Sequence, residues 1–342
     1  MAVYYVKEQG ALIKKLDKRI LVEKNGHELA DIPLHMITNM SVFGNVQVTT
    51  QALHLLMEAG IDVSFFSYSG AYIGQIAAGS SKNVFLRFAQ YERYQDLGAR
   101  LKLARRIVGN KIDNQIAVIK SYSRQDIDYD YTDDITQMEK LKNMLPDKNT
   151  SNEIMGVEGS CSAVYFGVYG HMFKCRVTFD RRNRRPPKDP INVILSLAYT
   201  LLTKEVVAAL ESESFETYLG FLHGIRYGRK SLSLDIVEEF RQPVVDRLTL
   251  ILFNKQMLSE FDFDQGEDRI VLSEDGFKKF CREYEQWMKR PAHSNDNRSF
   301  RSIISYQIGE LKKAIRDSTD YEPYSWSNVI NKTEADDVSD SI

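Results

Sequence analysis

The feature that most constrains this chain is a change of period near residue 80. Before it, short apolar segments follow one another: YYV (4–6), ALI (11–13), RILVE (19–23), MITNMSVFG (36–44) and IDVSFFS (61–67). They are rich in β-branched and aromatic residues and are punctuated by Gly26, Gly44, Gly60 and Gly70, which is the pattern of strands joined by turns. One helix interrupts them, TTQALHLLMEAG (49–60), with a threonine to cap its start and Gly60 just past its end. A further hairpin signal, SYSGAYIGQIA (67–77), closes the region. After the small-residue stretch GSSKN (79–83) the apolar positions recur every three or four residues: Leu86, Phe88, Tyr91, Leu97, Leu101, Leu103, Ile107 and Ile112 read as one helical stripe. Helical periodicity continues through much of 151–316. The expected architecture is α+β: a small β-rich N-terminal domain over residues 1–82, a larger all-helical catalytic domain over 85–316, and an acidic, disordered tail over 317–342.

Charge adds a second constraint. The formal net charge is −2, but residues 317–342 hold seven acidic residues and one basic, so the rest of the chain carries +4. Within that rest, KCRVTFDRRNRRPPK (174–188) has seven basic residues against one acidic. Local basic patches of this kind bind phosphate. Arg181, Arg182, Arg184, Arg185 and Lys188 are the candidates on this Pro-stiffened loop, and Asp189 is placed to cap the helix that follows. Arg100, Arg105 and Arg106 form a further candidate surface. Cys161, Cys175 and Cys281 are an odd number without CxxC spacing, so neither a disulfide framework nor a zinc site is indicated. The start, MAVYYVKEQG, lacks the apolar run of a signal peptide, and no stretch approaches the roughly 18 consecutive apolar residues of a membrane span. The expectation is a cytoplasmic protein with no membrane partner.

The residues with chemical potential fall in two segments. SNEIMGVEGSCSAVYFGVY (151–169) reads as a helix carrying Glu158 within an apolar run. YLGFLHGIRYGRKSLSLDIVEEFRQPVVDRL (218–248) carries His223 at the end of an apolar run, a basic turn with Arg226, Arg229 and Lys230, and then a helix. Asp235 and Glu238 stand three apart on that helix, so both carboxylates fall on one side of it. Periodicity alone leaves Glu158 as either a solvated or a paired glutamate. A lone histidine is more often a packed or surface residue than a ligand.

Taken together, GVEGSCSAVYF around Glu158, RRNRRPPKDPINVILSLAYTLL (181–202), GFLHGIRYGRKSLSLDIVEEFR (220–241) and SVFGNVQVTTQALHLLMEAGIDVSFFSYSGAYIGQI (41–76) resemble the CRISPR-associated adaptation integrase family, the nuclease-integrase numbered first among the Cas proteins. The resemblance runs from about residue 1 to about residue 260. It implies a β N-terminal domain, a helical catalytic domain, a homodimer, and a small partner protein, numbered second in that nomenclature. It implies that Glu158, His223 and Glu238 hold a metal ion and that Asp235 assists them. Two carboxylates and an imidazole suit Mn²⁺ or Mg²⁺. Such an ion would neutralise charge at a phosphodiester of double-stranded or branched DNA while water or a 3′-hydroxyl attacks. Insertion of short spacers into a CRISPR array is the expected function. A structure-specific nuclease with no integrase role and a non-catalytic DNA-binding scaffold are the alternatives.

Overall fold

A computed structural model describes residues 2–77, 83–123, 129–175, 177–183, 186–265, 270–293 and 296–326. Arg184 and Arg185 lie outside the described residues. The chain divides into two compact units, Met1–Ser80 with Val271–Cys281, and Ser81–Ile270 with Arg282–Ile342. The return of 271–281 to the first unit is not legible in the hydrophobic pattern. Phe277 makes it concrete, because its ring meets that of Phe43 edge-on at 4.9 Å.

The first unit holds two four-stranded sheets. In one, β1 (Ala2–Val6), β5 (Ile37–Phe43) and β7 (Asp62–Phe66) run parallel, and β8 (Tyr72–Ile76) closes antiparallel on β7. In the other, β2 (Leu12–Leu16), β3 (Arg19–Lys24) and β4 (His27–Pro33) form an antiparallel meander, and β6 (Gln47–Val48) pairs parallel with β2. β4 is absent from the strand pattern of the sequence because it is an edge strand with Ile32 as its one buried residue. Its local signal lies in the turn: Asn25 and Gly26, at φ 51° and 79°, join Lys24 to its partner His27 as a two-residue hairpin loop. α1 (Thr50–Glu58) starts where expected, with the Thr49 hydroxyl accepting from the Ala52 amide at 3.2 Å. Its Ala52, Leu55 and Leu56 join Ile13, Ile20, Met40, Val42 and Val63 in one apolar cluster.

The second unit is helical, with one described β pair of its own, Pro291–His293 with Asp296–Ser299, so "all-helical" needs that small correction. The stripe expected over 84–120 is two helices, α2 (Val84–Gln95) and α3 (Leu97–Ser123). Asp96 breaks it, because its carboxylate accepts from the Ala99 amide at 2.9 Å and caps the second helix. On α2 the apolar residues Phe85, Phe88 and Tyr91 are exposed. The buried face instead includes Gln90, whose amide bonds the backbone of Glu216 and Leu219.

After α4 (Thr132–Lys142), α5 (Ser151–Tyr169) opens with a capping box between Thr150 and Glu153. Its buried stripe is Ile154, Val157, Cys161, Tyr165, Val168 and Tyr169, so Ala163, Val164 and Phe166 are not the core residues their apolarity suggested. α6 (Pro190–Ser212), capped by Asp189 as expected, is long and apolar enough to cross a membrane by composition, yet most of it is buried inside the unit as a core helix. Residues 317–326, assigned from their charge to a disordered tail, are packed instead: Tyr321 and Trp326 are buried. Asp320 and Glu322 pair with Arg106, and Asp320 also with Lys102, so these acids neutralise α3.

Candidate active site

The helix expected over 231–248, beyond the basic turn that follows His223, is not continuous. α7 (Ser231–Val237) gives way to a turn and then to a π-helical stretch, Arg241–Asp246, before α8 (Arg247–Asn254) resumes regular winding. Pro243 lacks the amide that would sustain the α-helical ladder, and π-helical insertions reaim side chains. The result is a dense row of buried polar groups: Asp235, Glu238, Glu239, Gln242 and Asp246 all face inward.

Glu238 and Glu158 are brought together by a residue that the sequence reading missed. Lys111, on α3 and 5% exposed, places its ammonium against Glu158 Oε1 and 2.6 Å from Glu238 Oε2. Arg241 Nε lies 3.0 Å from the same Glu238 oxygen. Ser162, one turn beyond Glu158, donates its hydroxyl to Oε1 at 2.9 Å, and Gln115 on α3 donates to that hydroxyl at 3.2 Å. Burial alone would raise the Glu238 carboxyl, but Arg241 and Lys111 outweigh it and hold it at about 2. Glu238 is therefore a carboxylate throughout the physiological range. Lys111 carried no motif, since a lysine on an amphipathic helix reads as solvated.

His223 and Asp235 form the second element. The buried Asp235 carboxylate accepts the amides of Phe221 at 2.5 Å, Leu222 at 3.0 Å and His223 at 2.9 Å, and its Oδ1 lies 2.7 Å from His223 Nδ1. A carboxylate oxygen can only accept, so Nδ1 is the donor and Nε2 is the ring nitrogen left for another partner. Asp235 therefore positions the imidazole. Gly220 makes the loop possible, since a Cβ there would lie 2.7 Å from the Ser231 carbonyl carbon and 2.8 Å from the His223 oxygen. Among the described residues no group of three or more His, Cys, Asp or Glu is placed to hold a metal ion. The structure joins Glu158 to Glu238 and His223 to Asp235. His223 lies near enough to Glu238 to help lower its pKa. The donor chemistry fits a cation, because the space between the two glutamates already accommodates an ammonium.

Asp246 and Glu239 have different partners. Tyr165 donates to Asp246 Oδ2 at 3.0 Å, Tyr199 donates to Oδ1, and burial raises the carboxyl to about 6. Glu239 receives the Tyr321 hydroxyl at 2.9 Å and the Tyr324 amide at 2.9 Å, and burial pushes it to about 7. Asn114 locks the same C-terminal segment down, accepting from the Trp326 amide at 2.8 Å and donating to the carbonyl of Glu239 at 3.1 Å.

The candidate phosphate contacts divide into free and committed groups. Arg181, Lys188 and Arg226 are exposed. Arg182 is committed to the fold: it bonds Asn192 Oδ1 at 2.6 Å and Ser196 Oγ at 3.0 Å, with its guanidinium over the Tyr199 ring. Arg229 bonds Ser231 Oγ at 3.2 Å and the Gly224 carbonyl, and Lys230 pairs with Glu211 at 2.5 Å. Arg105 and Arg106 are likewise spent, on the Lys148 carbonyl and on the C-terminal segment.

The chain thus pairs a two-sheet unit with a helical unit that holds a cation-bridged pair of acids, and comparison with known proteins places that arrangement in a family. The family model "CRISPR associated protein Cas1" matches residues 4–286, and the chain belongs to that family. It is 31% identical over 334 residues to a CRISPR-associated endonuclease Cas1 of Thermus thermophilus, covering 95% of this chain and 97% of that one. The solved structure of a Cas1 protein from Thermotoga maritima superposes with a TM-score of 0.82 at 26% identity, covering 94% of this chain and 99% of that one. A chain from a Cas6-RT-Cas1–Cas2 complex gives a TM-score of 0.81 at 25% identity, covering 95% of this chain and 36% of the longer neighbour. The family is generally dependent on divalent metal.

Proposed function

We propose that this chain is a metal-dependent DNA endonuclease and integrase that inserts short DNA segments into a CRISPR array, with Glu158, His223 and Glu238 as the ligands of Mn²⁺ or Mg²⁺. The observation that carries the reading is the buried ammonium of Lys111 between Glu158 and Glu238: two acids converge on a space suited to positive charge. A bound divalent ion supplies Lewis-acid charge to a phosphodiester. The residues of the chain do the rest. Arg241 and Lys111 keep Glu238 ionised. Asp235 holds the His223 ring by Nδ1 and turns Nε2 away from its own carboxylate. Asp246 and its two tyrosines buttress α5 against the π-helical stretch from the far side. In cutting, the new P–O bond comes from water; in joining, from the 3′-hydroxyl of an incoming end as the resident strand's 3′-oxygen leaves.

Arg181, Arg184, Arg185, Lys188 and Arg226 supply non-specific contact to the DNA backbone, so binding falls with salt. Arg182, Arg229 and Lys230 support that surface from within. The partners are double-stranded and branched DNA, a second copy of the chain, and a Cas2-type protein like the one in the matched complex. The compartment is the cytoplasm.

The test is strand transfer with purified chain, its small partner, Mn²⁺, a short duplex with free 3′-hydroxyls and a plasmid bearing a repeat. Joining by wild type and none by Glu158→Ala supports the reaction and the site. Metal-dependent cutting of branched DNA with no joining leaves the nuclease alone. Tight DNA binding with neither activity makes the chain a scaffold.

A further inference from the structure

The acid pair is not the second unit's most unusual charge. Arg247, the first residue of α8, has a buried Nη1 with no hydrogen-bond partner, and the guanidinium forms no ion pair with a described residue. What it touches is aromatic: its guanidinium carbon sits 4.0 Å from the centre of the Trp326 ring and 5.3 Å from that of Trp287. Burial pushes its pKa down to about 10, and Arg290, itself stacked on Trp287 at 3.7 Å, adds like charge. Aromatic faces attract the guanidinium, but they leave the Nη1 donor unanswered. A half-buried cation without an anion is an expensive arrangement, and Lys111, Arg241 and Arg301 in the same unit each have a carboxylate.

Arg247 lines a cavity of about 400 Å³ together with Ser121, Tyr122, Lys174, Lys255 and Trp326. Lys174 and Lys255 are exposed at its rim, and no carboxylate lines it among the described residues. Asn254 fixes the wall, accepting from the Lys174 amide at 2.7 Å and donating to the Met172 carbonyl at 2.9 Å. Three cations and a phenol around one space answer an anion with several oxygens. Guanidinium and ammonium groups converging in this way match phosphate. The volume leaves room for more than the phosphate alone. The cavity is distinct from the acid pair: Tyr122 follows Lys111 by eleven residues on α3, three turns along the same face, or about 16 Å.

We infer that this cavity is a phosphate-binding site, separate from the catalytic acids, which takes the phosphate group of a nucleotide. The nucleotide is either free or part of a DNA strand, and the chemistry recognised is the same. Filling the site supplies Arg247 with the anion that the fold withholds.

The chain offers a direct readout, because its two tryptophans, Trp287 and Trp326, are the two rings that Arg247 contacts. The full chain, kept in chelator so that no metal bridges phosphate to the acids, is titrated with pyrophosphate, deoxyadenosine monophosphate, deoxyadenosine and a short single-stranded oligonucleotide while tryptophan emission is followed. Pyrophosphate and the monophosphate are expected to give a saturable change, and the nucleoside none. Lys174→Glu with Lys255→Glu, at exposed positions that leave the melting temperature unchanged, weakens binding at least about tenfold, the cost of losing one charge-assisted contact. Saturation by the oligonucleotide about tenfold below the monophosphate identifies a DNA strand as the source, and equal saturation identifies a free nucleotide. Glu238→Ala titrates like wild type, which keeps this site apart from the catalytic reading. No saturable response to any phosphate, or unaltered binding by the double variant, overturns the inference.

Discussion

Glu238 and Asp246 stand eight residues apart on one irregular segment, both buried, and their carboxyls are shifted in opposite directions. Glu238 meets Lys111 and Arg241 and is held near 2; Asp246 meets the hydroxyls of Tyr165 and Tyr199 and rises to about 6. Burial pushes both carboxyls up, and the neighbours decide the outcome. At Glu238 the directly paired Arg241 and Lys111 favour the ionised form by more than burial penalises it, whereas at Asp246 the two hydroxyls, with smaller help from the same two cations, offset only part of the penalty. A carboxylate surrounded by cations is ready to exchange one cation for another. A carboxyl surrounded by tyrosines is a structural tie. Aspartate and glutamate in one short stretch thus divide into a site and its support.

The largest test of this division is to remove the acids of the cation-bridged pair. Glu238→Ala or Glu158→Ala is expected to lower strand transfer roughly a thousandfold or more, measured as joined product per unit time. Activity within tenfold of wild type would sink the ligand assignment. Asp235→Asn comes next. It leaves the ligands in place but loosens the ring of His223 and the amides of Phe221 and Leu222, so a loss of about 10–100-fold in metal affinity is expected by calorimetry. An unchanged affinity would mean that His223 needs no orientation or is no ligand.

Lys111→Gln sharpens the comparison further. It removes the resident cation while keeping a donor, so Mn²⁺ is expected to bind about tenfold more tightly while the metal-free protein melts at a lower temperature. Weaker Mn²⁺ binding would show that Lys111 organises the acids instead of competing with the ion.

The smallest effect concerns pH. Asp246 is raised from 3.8 to about 6, so between those values the folded chain holds a proton that the unfolded chain has released. Its contribution makes stability fall as pH rises from about 4 to 6, by at most about 3 kcal/mol. Asp246→Asn flattens that part of the profile in denaturant melts. Glu238 has the opposite sign: its stabilising contribution is present above 4.5 and is lost as pH falls toward 2. Equal slopes in wild type and Asp246→Asn would show that burial does not raise the Asp246 carboxyl.

Much of this was legible in the sequence where local rules suffice. The Thr49 and Asp189 caps, the turn after α1 and the switch from strands to helices follow from side chains bonding their own backbone and from periods of two and 3.6. The family resemblance, carried by the segments around Glu158 and His223, is borne out across nearly the whole chain. Less was legible where residues distant in sequence meet. The apolar content of 84–120 concealed the break at Asp96 and the exposure of Phe88 and Tyr91, because periodicity marks a stripe without saying what covers it. The acidity of 317–326 suggested disorder, yet Asp320 and Glu322 find Arg106, over two hundred residues earlier. Arg182 looked like a hand for phosphate until Asn192 and Ser196 claimed it.

The sequence by itself therefore determined the residue types of the site, the order of its segments and the ends of its best-capped helices, since each depends on neighbours along the chain. Only the tertiary structure decided the charges. That Lys111 meets two glutamates, that Asp246 meets two phenols, and that Arg247 meets only rings are all products of long-range packing. The charge of a buried group is set by what surrounds it in space, and spacing along the chain does not encode that.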